Sequence, residues 1–421
     1  MADVLIDLGE APRDAPPPVS PPPPPPPVRT LLGVLSLVLV ALLAAAAAPA
    51  REVRPIVIPA DLGASYYVAD NLLFVAGGST VVGPGVLVRD VRTYALPTAR
   101  LLDSTMVTVA GAVDHVMRVG HTVVASYQLE ASGDLAVVAV GAGTDRTLWR
   151  RPARLVGSAA GDLVLLATDE GFLAVEAATG VVRWTVPRPP DGSIAETGPR
   201  GHPRWLVVQS GDGRLETRDA GTGRVVAQRS VPRGAGNVWP VGDLVTIGAA
   251  DGFSAYQLPG LTFRWRTEAD LSQSWMQADC GTLICTFRQQ SGIVALDRTT
   301  GRALWSSSFW AYAQPAGPYL AAIRLDRRTF DPAVWLLDPA TGEPVGNFGR
   351  WEILDGSPSG PLFGKIDIYG EDLVYYGRLD PVTREIRVTG RAGGVSGNCR
   401  EAAGMLICRL IDASVALWPL E

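Results

Sequence analysis

Residues 296–305 read Leu296-Asp297-Arg298-Thr299-Thr300-Gly301-Arg302-Ala303-Leu304-Trp305, and this stretch sets the fold class. An apolar residue ends a strand, and an acidic residue opens a turn. Thr-Gly closes the turn, and a tryptophan follows on the next strand. The carboxylate can accept backbone N–H bonds within the turn, and the threonine hydroxyl can do the same. Glycine supplies the left-handed exit that other residues resist. The pattern recurs as Val175-Glu176-Ala177-Ala178-Thr179-Gly180 before Trp184, and as Arg218-Asp219-Ala220-Gly221-Thr222-Gly223. It recurs again as Leu337-Asp338-Pro339-Ala340-Thr341-Gly342 before Phe348, with a degraded copy at Leu379-Asp380-Pro381-Val382-Thr383-Arg384. Trp149 and Trp265 stand at equivalent points where the turn has drifted.

The copies are spaced for four short strands each. Trp149 to Trp184 is 35 residues, and Trp265 to Trp305 is 40. Short runs rich in Val, Leu and Ile lie between them, at 162–167, 204–209, 243–247, 282–287 and 372–376, with weaker ones near Leu72, Tyr319 and Gly404. Turn dipeptides follow several of them: Glu170-Gly171, Asp212-Gly213, Asp251-Gly252 and Ser291-Gly292. Such pairs provide the positive φ of tight hairpins. No amphipathic helical pattern appears after residue 50.

Leu-Asp-x-x-Thr-Gly-x-x-x-Trp resembles the blade motif of PQQ-like (quinoprotein-like) β-propellers. That family includes quinoprotein alcohol dehydrogenases and a lipoprotein scaffold of outer-membrane protein assembly. The resemblance spans about residues 55–418 and is strongest over 150–345. It implies an all-β propeller domain over 55–421, with eight blades expected and seven or nine as alternatives. Asp219, Gly223, Asp297, Thr300, Gly301, Trp305, Asp338, Thr341, Gly342, Glu176, Thr179, Gly180, Trp184, Trp149 and Trp265 are then structural: the turns shape blades and the tryptophans pack between them. Residues 55–59 are placed beside the C-terminal strands of 399–418, closing the ring and removing its open edges.

The chain begins differently. Residues 1–29 carry Asp3, Asp7, Glu10 and Asp14 and then Pro16–Pro18 and Pro21–Pro27, which reads as a disordered, extended segment. Leu31–Ala48 is uncharged between Arg29 and Arg51. At about 1.5 Å per residue it matches the hydrocarbon thickness of a bilayer, so 30–49 is read as a transmembrane helix. Small residues at Ala48-Pro49-Ala50 would also permit cleavage as a signal peptide, but the acidic, proline-rich leader favours a retained anchor. Arg13 and Arg29 balance Arg51 and Arg54, so flanking charge sets no orientation.

Cys280, Cys285, Cys399 and Cys408 supply that orientation. Each close pair reads as a hairpin with one cysteine per strand. Of the three connectivities, local pairing, 280–285 and 399–408, fits best. Disulfides belong to oxidising compartments, which puts the propeller outside the cytoplasm and residues 1–29 inside.

Formal net charge of −5 argues against a nucleic-acid partner. Quinoprotein enzymes of the resembled family use adjacent cysteines and a Glu–Asn–Asp set. No adjacent cysteines occur, and no such set can be matched residue by residue, so neither PQQ nor any catalytic residue is carried over. His115, His121 and His202, the only histidines, read as surface or strand residues, and no metal site is expected. The expectation is a membrane-anchored, non-catalytic binding or scaffold module that presents one propeller face to a protein or cell-envelope component. A quinone oxidoreductase and an envelope sensor signalling through the Pro-rich tail are the alternatives.

Overall fold

The computed structural model describes residues 54–421 except 84, 130–131, 234–237, 250–251, 272, 289–291, 325–332, 355–359 and 369. All of the described residues fall in the unit Ala50–Glu421. The proline-rich 1–29 segment and the expected membrane span 30–49 lie outside the described residues. Among the described residues every element is a β-strand, and no helix is long and apolar enough to cross a membrane.

The strands form nine sheets, each an antiparallel meander. Blade 1 spans 65–109, blade 2 111–152, blade 3 154–187, blade 4 193–230, blade 5 238–267, blade 6 274–307, blade 7 310–347 and blade 8 352–393. Blade 9 combines Val395–Ala402, Met405–Leu410 and Val415–Pro419 with Ile56–Ile58 from the other end of the domain. Ile56 lies opposite Leu417 and Ile58 opposite Val415, so the chain ends close the ring as the sequence pattern implies. Blade 1 carries an additional edge strand, Thr80–Gly83.

The blade number is therefore nine, not the eight expected. The count failed because turn copies mark only some of the blades. Blade 1 turns through Leu96–Ala99 and blade 5 through Leu258–Leu261, neither with an acidic residue and Thr-Gly. The weak second strands near Leu72, Tyr319 and Gly404 are real, at Leu72–Ala76, Tyr319–Arg324 and Met405–Leu410, each in a separate blade.

Burial follows the same ring. Each of nine apolar clusters joins one blade to its neighbour. The cluster of Ile58, Tyr66, Leu73, Val75, Val415 and Leu417 joins blade 9 to blade 1. A single sheet has two apolar faces and needs a partner on each, and ring closure supplies both.

The tryptophans act across these seams. Trp149 lies opposite Ala139, Trp184 opposite Ala174, Trp265 opposite Ala255 and Trp305 opposite Ala295. Each indole crosses a small residue of its own blade and reaches the next blade's turn. Its Nε1–H donates there, to Ala177 O at 2.8 Å, Gly221 O at 3.2 Å, Arg298 O at 2.8 Å and Pro339 O at 2.8 Å respectively. Gly301 shows why the Thr-Gly glycine is needed: its φ is +71°, and an added Cβ would lie 2.3 Å from the Trp265 ring.

Candidate binding face

The two ends of the blades differ. One end, the turn face, carries the turns between first and second strands and between third and fourth strands. The other, the connector face, carries the hairpins between second and third strands and the blade-to-blade connectors. Ile56–Ile58 is an outer strand running from the turn face to the connector face, so the peptide enters the ring at the turn face.

The residues of the acidic–Thr-Gly turns sit on the turn face, and their polar groups are spent on the turns. Gly180, Gly223, Gly301 and Gly342 each donate N–H to the carbonyl of Glu176, Asp219, Asp297 and Asp338, at 2.8 Å in every case. Asp297 Oδ1 accepts from Thr300 N at 2.7 Å and Thr300 Oγ1 at 2.8 Å. Asp219 does the same with Thr222, and Thr179 Oγ1 donates to Glu176 at 2.7 Å. The Thr300 hydroxyl and neighbouring N–H groups hold Asp297 below the usual aspartate range. Arg298, on the same turn, pairs with Asp279 at 2.6 Å and with Asp243 of blade 5.

The four cysteines form two disulfides, Cys280–Cys285 and Cys399–Cys408, each across a first-to-second-strand hairpin. Cys285 and Cys408 are buried in the clusters that join blades 6 and 7 and blades 8 and 9.

One grouping was not foreseen. Ser158 Oγ lies 2.8 Å from His202 Nδ1, and His202 Nε2 meets Asp70. The three residues come from blades 3, 4 and 1 and link turns far apart in sequence. The Ser158 N–H is committed to Gly201 O at 2.8 Å and is not free to stabilise an oxyanion beside the serine. This constellation acts as a cross-link between turns. His115 faces Asp114, Arg200 and Asp70 from the inner strand of blade 2, and burial holds it below the ordinary imidazole value. Among the described residues no group of three His, Cys, Asp or Glu is placed to hold a metal ion.

The connector face carries the exposed aromatic surface. Trp275 stands at the start of the inner strand Ser274–Cys280 and is 55 % exposed. Phe309 and Tyr312 stand at the start of the adjoining inner strand Trp310–Ala316, at 60 % and 38 %. Trp275 is the extra residue of a β-bulge between Ser274 and Met276, which turns its side chain out of the alternating pattern. Tyr312 stacks on Phe287 at 5.3 Å between ring centroids, and Arg324 lies over Phe309 at 5.8 Å. These contacts hold Phe309 and Tyr312, which leaves those two rings little side-chain freedom to lose on binding. The outer strands also expose Val181, Val182, Val225 and Val226, two per blade, which is ordinary for an edge strand.

Sequence reading did not find Trp275 or Phe309, because neither belongs to the repeat. Their lack of a repeat role was the available signal.

A family model described as outer membrane protein assembly factor BamB matches residues 103–345, from blade 1 into blade 7. The chain belongs to the BamB family. BamB from Moraxella catarrhalis is 15 % identical over 89 % of this chain and 98 % of its own, with a TM-score of 0.43. A eukaryotic initiation factor structure is 10 % identical over 79 % of this chain and 90 % of its own, with a TM-score of 0.50. The computationally designed Ika8 protein is 15 % identical over 73 % of this chain and 96 % of its own, with a TM-score of 0.43. Identities this low speak for the fold alone. No curated protein is significantly similar in sequence.

Proposed function

We propose that this BamB-family propeller is a non-catalytic docking module of the cell envelope, anchored through 30–49 with the ring outside the cytoplasm. Its partner is a protein bound on the connector face. The observation that carries this reading is the patch of Trp275, Phe309 and Tyr312 on adjoining inner strands. Aromatic residues held in place beside an arginine are the usual energetic centre of a protein interface. The connector face is also the end away from the entry of the peptide at Ile56. The family's BamB member is an assembly factor by description, which agrees with a binding role. The two disulfides support an oxidising compartment.

Photo-crosslinkers at 275 and 309, compared with one at 226 on the outer rim, test the face. Discrete adducts from 275 and 309 are expected. Adducts from 226 alone would remove the proposal. For an isolated partner, Trp275→Ala is expected to weaken binding by about 2 kcal/mol, roughly thirtyfold. Compartment is tested separately: a thiol reagent should label none of the four cysteines in the native protein before reduction, and labelling without reductant would count against the placement.

A further inference from the structure

Blades 3 and 6 press apolar third-strand side chains on the blade before them. In blade 3 these are Leu173 and Val175, packed toward blade 2, and in blade 6 they are Val294 and Leu296, packed against blade 5. Counting from the turn residues Glu176, Asp297 and Asp219, the same register positions in blade 4 are Glu216 and Arg218. Glu216 is only 5 % exposed, and its Oε2 accepts from Arg218 Nε at 2.9 Å and from the same guanidinium at 2.6 Å. Arg218 also donates to Gly223 O at 3.2 Å. The seam between blades 3 and 4 therefore has a polar lining where the other two are filled with aliphatic side chains. It holds a cavity of about 540 Å³ that opens on the connector face. The volume is that of a small-ligand site.

The charges in the cleft cancel. Arg188, Arg214 and Arg218 stand against Asp191, Asp212 and Glu216, so no net field selects an ion of either sign. The hydrogen-bonding groups, however, are not all used. Among the described residues the side chains of Arg188 and Asp191 make no hydrogen bond or ion pair. Arg214 meets Glu216 through Nε, 3.4 Å from Oε1. Asp212 accepts the Arg214 backbone N–H with Oδ1 at 3.2 Å and keeps its other oxygen. Ser210 lines the cleft and is 7 % exposed, yet its hydroxyl has no hydrogen-bond partner among the described residues. A buried hydroxyl normally has one. An occupant must therefore donate and accept at several points without carrying net charge. A hydroxyl group does both, and its hydrogen bond to a carboxylate or guanidinium is charge-assisted. Val186, Pro187, Pro189 and Pro190 add an apolar wall, and the prolines offer no N–H to a peptide main chain. A sugar ring matches both walls, with hydroxyls around its rim and C–H groups on its faces.

We infer that the cleft between blades 3 and 4 binds an uncharged saccharide, with hydroxyls on Arg188, Asp191, Ser210 and Asp212 and a ring face on the proline wall. The inference does not depend on the aromatic patch of blades 6 and 7, because the two share no residue.

A glycan array probed with the full-length chain tests it, in a polyoxyethylene detergent that carries no sugar. Neutral hexose oligosaccharides should be retained, and added salt should leave their retention unchanged, since screening acts on ions. Calorimetric titration with the best-retained neutral oligosaccharide should then show affinity weakened about tenfold or more by Arg188→Ala/Asp191→Ala, through lost charge-assisted hydrogen bonds. Both side chains are exposed, so the variant keeps the fold. Trp275→Ala/Phe309→Ala should bind the sugar as the unaltered chain does. Loss of binding in that variant would place the sugar at the aromatic patch and sink the cleft. Equal binding by the Arg188→Ala/Asp191→Ala variant, or an array that retains nothing, would overturn the inference. So would retention of uronic-acid or amino-sugar oligomers alone, released by salt. Competition by phosphocholine or glycine that exceeds competition by the neutral sugar would overturn it too, by making the site one for zwitterions.

Discussion

At the seam between blades 5 and 6, Trp265 crosses Ala255 and presses on Gly301. At the seam between blades 4 and 5, the three corresponding residues are Ala227, Thr217 and Leu261. Between blades 7 and 8 they are Gly346, Leu336 and Arg384, and an added Cβ on Gly346 would lie 3.0 Å from the Arg384 chain. The volume is filled each time, but the large residue moves. Where the indole is lost, the facing strand and the next turn grow to occupy its place. The turn keeps its left-handed exit without glycine, with φ of +54° at Leu261 and +62° at Arg384. Between blades 4 and 5 an arginine serves a different carbonyl of the turn: Arg229 donates to Leu261 O at 3.2 Å and lies over Tyr256. The lesson is that filled volume is what these seams share, and the Trp–Gly pair is one way to reach it.

The comparison can be broken at several points. Trp265→Ala should have the largest effect, about 4 kcal/mol lost in urea unfolding, because it empties a buried site and strips the Arg298 carbonyl of its donor. A loss under about 1 kcal/mol would mean that the seam collapses freely. Gly301→Ala should cost about 3 kcal/mol, combining overpacking against the indole with an unfavourable φ. Ala227→Trp and Leu261→Gly should each cost about 2 kcal/mol, yet the double variant should cost at least about 1 kcal/mol less than their sum. Strict additivity would show that the two positions do not share one space.

The smallest effect is on acid stability. Asp297 and Asp380 are held below the usual aspartate range, Asp297 first by the Thr300 hydroxyl and Asp380 first by the Thr383 N–H. A depressed folded-state value means stability that is present above the unfolded aspartate value and lost as pH falls through the folded one. Asp297→Asn should flatten the acid limb by removing that contribution at neutral pH, so that the two stability profiles differ least in acid and most above about pH 4. An unchanged acid limb would show that the turn carboxylates do not set it.

Much of this was legible in the chain. Turns and strands are local: Asp297, Thr300 and Gly301 bond one another within five residues, and period-two apolar runs announce strands wherever they fall. Closure by the segment at 56–58 was legible because an open edge needs a partner. Blade number was not, since the turns of blades 1 and 5 keep the geometry with different residues. The aromatic patch was not legible because exposure of Trp275 depends on a bulge.

The sequence by itself determined the all-β class, the repeating turn, the ring and the pairing of cysteines, because each rests on groups a few residues apart or on a repeated pattern. Only the tertiary structure decided that the ring has nine blades, that each tryptophan serves the next blade's turn, and that Asp70, Ser158 and His202 meet. It also set the charged cleft at Glu216. Those facts depend on which surfaces face each other after about 35 residues of intervening chain. That choice is made by volume and charge at the seam, which no local pattern records.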